Sequence, residues 1–77
     1  MPPADEPIEE LRAFAAALKA SRQAAGLSQD ALSHRCGLAT SEISRLERGV
    51  RNPRLSTIVR LARGLGVRPA DLLADIG

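Results

Sequence analysis

Histidine and cysteine occur once each, as His34 and Cys36, and nucleophilic or metal chemistry would have to start from them. On a helix, residues two apart do not face one another, and no third ligand stands at a metal-binding spacing. Cys36 reads as a small core residue and His34 as a surface one. Gly64 and Gly66 are spaced like part of a phosphate-cradling loop, yet they follow a helical pattern and lack the further Gly or Ala that such a loop needs. The expectation is a protein that is not an enzyme, with no catalytic residue, no metal, no cofactor and no small-molecule ligand.

The remaining chemistry is cationic. Ten arginines stand against one lysine. Planar guanidinium forks match phosphate and guanine geometry, although codon bias alone produces the same ratio. The distribution says more than the net charge of +2. Asp5, Glu6, Glu9 and Glu10 against Arg12 give residues 1–18 a net −3. Lys19 and nine arginines against Asp30, Glu42 and Glu47 give residues 19–68 a net +7, and Asp71 and Asp75 give the remainder −2. A basic middle between acidic ends is a plausible footprint for nucleic acid, and also for an ordinary solvated surface. Phe14 is the sole aromatic residue, which argues against base-stacking single-strand or RNA binders.

To hold these groups in place, 77 residues suffice for one small domain. With 44% hydrophobic and 26% charged residues the chain reads as globular. A single Cys excludes an internal disulfide framework, which suggests a cytoplasmic setting. No apolar run approaches a membrane span, and the acidic N-terminus is unlike a signal peptide. Residues 1–7 read as a short acidic lead and 8–76 as a single domain.

Apolar residues recur at helical spacing from Ile8 to Ala25, behind Pro7, with Glu9 and Glu10 in the first turn and Gly26 as a stop. Ser28 is a good N-cap for a helix over Gln29–Cys36, and Gly37 suits the left-handed residue that ends it. A third helix covers Thr40–Arg48, with Ile43 and Leu46 as its apolar positions. Asn52-Pro53 marks a loop, Ser56 or Thr57 opens a fourth helix, and Gly64-Leu65-Gly66 frays it. Pro69 starts a short fifth helix whose apolar side is Leu72, Leu73 and Ile76. No stretch alternates with period two, so the fold class is all-α, a compact five-helix bundle.

Two short helices joined by a Gly-containing turn form a helix-turn-helix, whose second helix enters the DNA major groove. Leu32, Cys36, Leu38, Ile43 and Leu46 would lock helices two and three together. The free face of helix three then carries Thr40, Ser41, Ser44, Arg45 and Arg48, a polar strip suited to the groove. Arg45 is the leading candidate for a bidentate guanine contact. Ser44 and Arg48 lie beside it as phosphate contacts, continued by Arg51, Asn52 and Arg54 as a clamp after Gly49; Asn52 equally serves the turn alone.

Gly26-Leu27-Ser28-Gln29, Leu32, Gly37, Ile43-Ser44, Leu46-Glu47-Arg48-Gly49 and Asn52-Pro53 together resemble the phage-repressor and Cro-type (XRE-like) helix-turn-helix family, over about Phe14 to Leu73. The resemblance implies that Thr40, Ser41, Glu42 and Arg45 face base edges. Glu42 either accepts from a cytosine amino group or repels phosphates and orients Arg45. Thr40 and Ser41 bond to bases or phosphates, or cap the helix. The resemblance also puts Gln29 on a phosphate and makes Arg22 and Glu47 a partly buried salt bridge. Two positions depart from the pattern: Ala39 replaces a capping Ser or Thr, leaving helix three less well capped or starting at Thr40, and Ser21 replaces a large apolar residue.

Members of this class bind double-stranded DNA as dimers on paired half-sites. Leu72, Leu73 and Ile76 are the candidate homodimer interface, with core packing of Leu72 as the competing assignment. The function expected is a sequence-specific transcriptional regulator on a palindromic operator, responding to its own concentration as small restriction-modification controller proteins do. The alternatives are an antitoxin-type module that also binds a toxin, for which a long tail would be the sign, and a basic domain without sequence preference.

Overall fold

The computed structural model describes residues 7–76, so the acidic lead lies outside the described residues apart from Pro7. Five helices follow one another: α1 (Ile8–Ala24), α2 (Gln29–Cys36), α3 (Thr40–Glu47), α4 (Leu55–Leu65) and α5 (Pro69–Leu72). No strand occurs among the described residues. The all-α, five-helix expectation holds.

Each helix contributes one apolar side to a common core of Phe14, Leu18, Leu32, Cys36, Ile43, Leu46, Ile58, Leu61, Ala62, Leu65 and Leu72. No polar or charged residue is fully buried there. Burying a Leu or Ile side chain is worth about 1.5–3 kcal/mol, so this cluster carries the stability that a disulfide-free chain of this size needs. α2 packs on both α3 and α4, and α1 on α3, which leaves α3 with neighbours behind it and solvent in front.

Local signals explain most of the helix ends. The Ser28 hydroxyl accepts from the Ala31 amide at 3.0 Å, and Gly37 takes φ +72°, a left-handed conformation that closes α2 and redirects the chain into α3. Ala39 precedes α3 in extended conformation without a side-chain cap, and the helix begins at Thr40.

Several boundaries differ from the sequence expectation. α1 and α3 each end one residue earlier, at Ala24 and Glu47, because Ala25 and Arg48 serve as the capping residues. α4 starts at Leu55, ahead of Ser56 and Thr57. The extended Arg54 is its N-cap, and the Arg54 carbonyl accepts from the Ile58 amide at 3.1 Å, so a hydroxyl cap is not required. Gly64 does not fray α4: it stays helical, and a Cβ there would lie 3.3 Å from Cys36 Cβ, so glycine lets α2 and α4 approach closely. α5 spans only Pro69–Leu72, with the Arg68 amide donating to Asp71 Oδ2 at 2.9 Å, and Leu73 and Ile76 follow it outside the helix.

Candidate nucleic-acid interface

α3 is fastened by Ile43 and Leu46, both fully buried, while Ser41, Arg45 and Arg48 are exposed and Thr40, Glu42 and Ser44 half-buried. Ile43 and Leu46 are three apart and share one side of the helix. The remaining surface is polar throughout, and the exposed Arg51, Asn52 and Arg54 follow in the connection to α4. Between α3 and that connection lies a recess of about 310 Å³ lined by Leu38, Glu42, Arg51, Asn52, Pro53, Arg54 and Thr57.

Behind this face, Glu47 ties three helices together. Its Oε2 accepts from Arg22 Nε at 2.6 Å, and its Oε1 accepts from Arg22 Nη2 at 3.0 Å and from Gln29 Nε2 at 3.1 Å. Arg22 Nη1 donates to the Leu27 carbonyl at 2.8 Å. The Arg22 and Glu47 side chains are only 12% and 4% exposed, so the pair is a partly buried, bidentate link. The hydrogen bond to Glu47, aided by its charge and opposed by desolvation, pushes the Arg22 pKa above its ordinary value. A raised basic pKa adds stability that persists below the unfolded-state value and fades only as pH climbs through the folded one. An arginine is already protonated throughout the physiological range, so its side of the link does not respond to pH there.

Several side chains meet partners that the sequence did not indicate. Gln29 spends one amide N–H on Glu47, so its second N–H and the main-chain amides of the first α2 turn are what remain for a phosphate. Thr40 Oγ1 donates to Asp30 Oδ1 at 2.8 Å, stitching the start of α3 to the start of α2. Glu42 faces Arg51 in the following connection, 3.6 Å from Nη2, and forms no ion pair with Arg45. Of the two alternatives for Glu42, orienting Arg45 is therefore corrected: Arg51, looped back from the connection after α3, comes closer than Arg45 on the same helix. Both partners in that pair are open to solvent, so the attraction is weak.

The suggested dimer patch also changes. Leu72 is 1% exposed and belongs to the core of its own chain, so its side chain is not available to a partner. Leu73 and Ile76 pack against that core and line an apolar recess of about 130 Å³ together with Pro7, Phe14 and Ile58. The large apolar side chains most open to solvent lie elsewhere, at Ile8, Val50 and Leu55. Cys36 is buried and His34 exposed, and the described residues contain no His/Cys/Asp/Glu cluster able to hold a metal. No helix among the described residues is long and apolar enough to cross a membrane.

A capped α2, a left-handed glycine, a buried-backed α3 and an arginine-bearing connection define a helix-turn-helix protein, a DNA-binding class rather than an enzyme. The helix-turn-helix family profile HTH_3 matches residues 18–72, and the chain belongs to that family. It is 45% identical over 47 residues to "Control protein C.BamHI" of Bacillus amyloliquefaciens, covering 61% of this chain and 58% of that protein. It is 40% identical over 52 residues to "Uncharacterized HTH-type transcriptional regulator y4dJ" of Sinorhizobium fredii, covering 68% of each. Among solved structures, the restriction-modification controller protein C.AhdI from Aeromonas hydrophila superposes with a TM-score of 0.81 at 39% identity, covering 83% of this chain and 97% of that one. The match thus spans somewhat over half the length of the first of these relatives.

Proposed function

We propose that this protein binds a palindromic DNA operator as a symmetric dimer and regulates transcription in proportion to its own concentration. The observation that carries the reading is the construction of α3: two buried side chains fix it from behind, and its open face presents Ser41, Arg45 and Arg48 next to the exposed Arg51 and Arg54. Likeness to the control protein C.BamHI and to the restriction-modification controller protein C.AhdI supports a comparable regulatory role. One such helix spans only a few base pairs, so two copies on half-sites about one helical turn apart are needed for useful specificity.

In this reading α3 lies in the major groove, Arg45 reads a guanine O6/N7 edge and Ser41 assists. Arg48, Arg51, Asn52, Arg54, Ser44 and the α2 N-terminus at Gln29 meet phosphates. Thr40 acts through its bond to Asp30, and Glu42 is the partner that Arg51 leaves when a phosphate approaches. With Leu72 committed to the core, the dimer contact draws on Leu73, Ile76 and other surface residues.

Selection of bound sites from random duplex DNA tests the proposal. A motif with two-fold symmetry is expected; enrichment without symmetry, or no enrichment, overturns it. Arg45→Ala is expected to weaken binding to that site by about 1–3 kcal/mol and to relax the preference at one base pair per half-site. Arg48→Ala should weaken all duplexes evenly. A titration series over single-base variants of the site separates the two patterns.

A further inference from the structure

The turn between α2 and α3 sets the angle at which α3 meets DNA, and a residue outside the motif holds it. Arg60, on α4, donates from Nε to the Cys36 carbonyl at 3.1 Å and from Nη2 to the Gly37 carbonyl at 2.8 Å. These carbonyls belong to the end of α2, where the helix leaves acceptors without partners and carries the negative end of its dipole. The guanidinium also fills the space beside the turn, since a Cβ on Gly37 would lie 2.6 Å from Arg60 Nη2. From the other side, the Ser33 hydroxyl donates to the Leu38 carbonyl. The base of this strut is firm, because Gly64 lets α4 press onto α2, and Arg35 Nη1 reaches back to the Gly64 carbonyl at 3.5 Å.

Arg60 is exposed, so burial does not oblige it to find partners, yet it grips two consecutive carbonyls of the turn. We propose that Arg60 is a positioning residue for operator reading: it fixes the α2–α3 angle, and so the fit of Ser41 and Arg45 to base edges, without touching DNA. This rests on the α3 face being the sequence-reading surface.

The test compares Arg60→Met, Arg60→Lys and Gly37→Ala with the control Gly26→Ala. Gly26 has a similar φ of +71°, but nothing lies within 4 Å of its Cβ position, so alanine there brings the backbone strain without displacing Arg60. Affinities for the selected operator and for an unrelated duplex are measured at one salt concentration, with the salt slope and with residual dipolar couplings of the free protein. For Arg60→Met, operator affinity is expected to fall about tenfold or more, since sites 1 Å out of place lose function. Unrelated-duplex affinity should stay within about twofold and the salt slope should not move, because no phosphate contact is lost. Arg60→Lys should recover part of the ratio, Gly37→Ala should follow Arg60→Met, and Gly26→Ala should keep the wild-type ratio. The couplings should report a changed α2–α3 angle in Arg60→Met and Gly37→Ala only.

Unchanged couplings in Arg60→Met overturn the proposal, as does an equal fall for both duplexes or a salt slope reduced by about two for the dimer, the mark of one lost phosphate contact per half-site. If the wild-type protein shows no sequence preference, the operator reading fails instead, and the couplings still decide whether Arg60 sets the angle.

Discussion

Glu47→Ala is expected to lower stability by about 3–5 kcal/mol, because it leaves the Arg22 guanidinium in a site of low exposure with its carboxylate gone. The loss is compounded at Gln29, whose amide donates to the same oxygen that receives Arg22 Nη2. One substitution therefore unties α1, α2 and α3 together. For a domain of this size each kcal/mol moves the thermal midpoint by about 4–8 °C, so the midpoint of the variant is expected to fall by about 12–40 °C.

Glu42→Ala supplies the contrast. The Glu42–Arg51 pair is 29% and 46% exposed at 3.6 Å, and screening by solvent holds its worth to about 0–1 kcal/mol. Equal midpoints for the two variants in thermal unfolding followed by circular dichroism would remove the structural role given to Glu47. The Arg22→Ala, Glu47→Ala double variant is expected to recover stability relative to the sum of the single ones, since no charge is then stranded.

Operator affinity is expected to fall about a thousandfold between roughly 50 and 200 mM salt. Arg48, Arg51 and Arg54 are exposed beside α3, and a dimer carries each of them twice. With about six phosphates neutralised, the logarithm of affinity drops by about 0.9 per phosphate for each tenfold rise in salt. Fluorescence anisotropy across that range checks it, and an affinity that barely changes would contradict the arginine clamp. Replacing any one of the three by Ala should flatten the slope by about two for the dimer, one phosphate being lost per half-site.

The parts of this fold legible in the sequence are those governed by local or periodic rules. Ile43 and Leu46 announced the buried side of α3 by their spacing, Ser28 announced the start of α2, and Gly37 its end. The Arg22–Glu47 link followed only from family resemblance, as the two are 25 positions apart and carry no periodic mark. The same blindness covers Arg60 on the Cys36 and Gly37 carbonyls and Thr40 on Asp30: long polar side chains crossing between elements leave no trace in a hydrophobic pattern. The start of α4 at Leu55 carries no sequence mark, because an N-cap hydroxyl is a preference and the extended Arg54 serves without one. Leu72 and its neighbours were indistinguishable by type; only the packing shows that Leu72 faces inward.

Holding α3 in place is the task of Ile43 and Leu46, whereas Ser41, Arg45 and Arg48 hold nothing within the protein. Substitutions at exposed positions of this sort usually change stability by no more than about 0.5 kcal/mol. Thr40 and Glu42, each tied to a side chain elsewhere, are less free to vary. A lineage of such proteins can therefore explore new operators through Ser41 and Arg45 at almost no cost to folding, and a designer seeking to retarget this one has the same pair of residues to randomise.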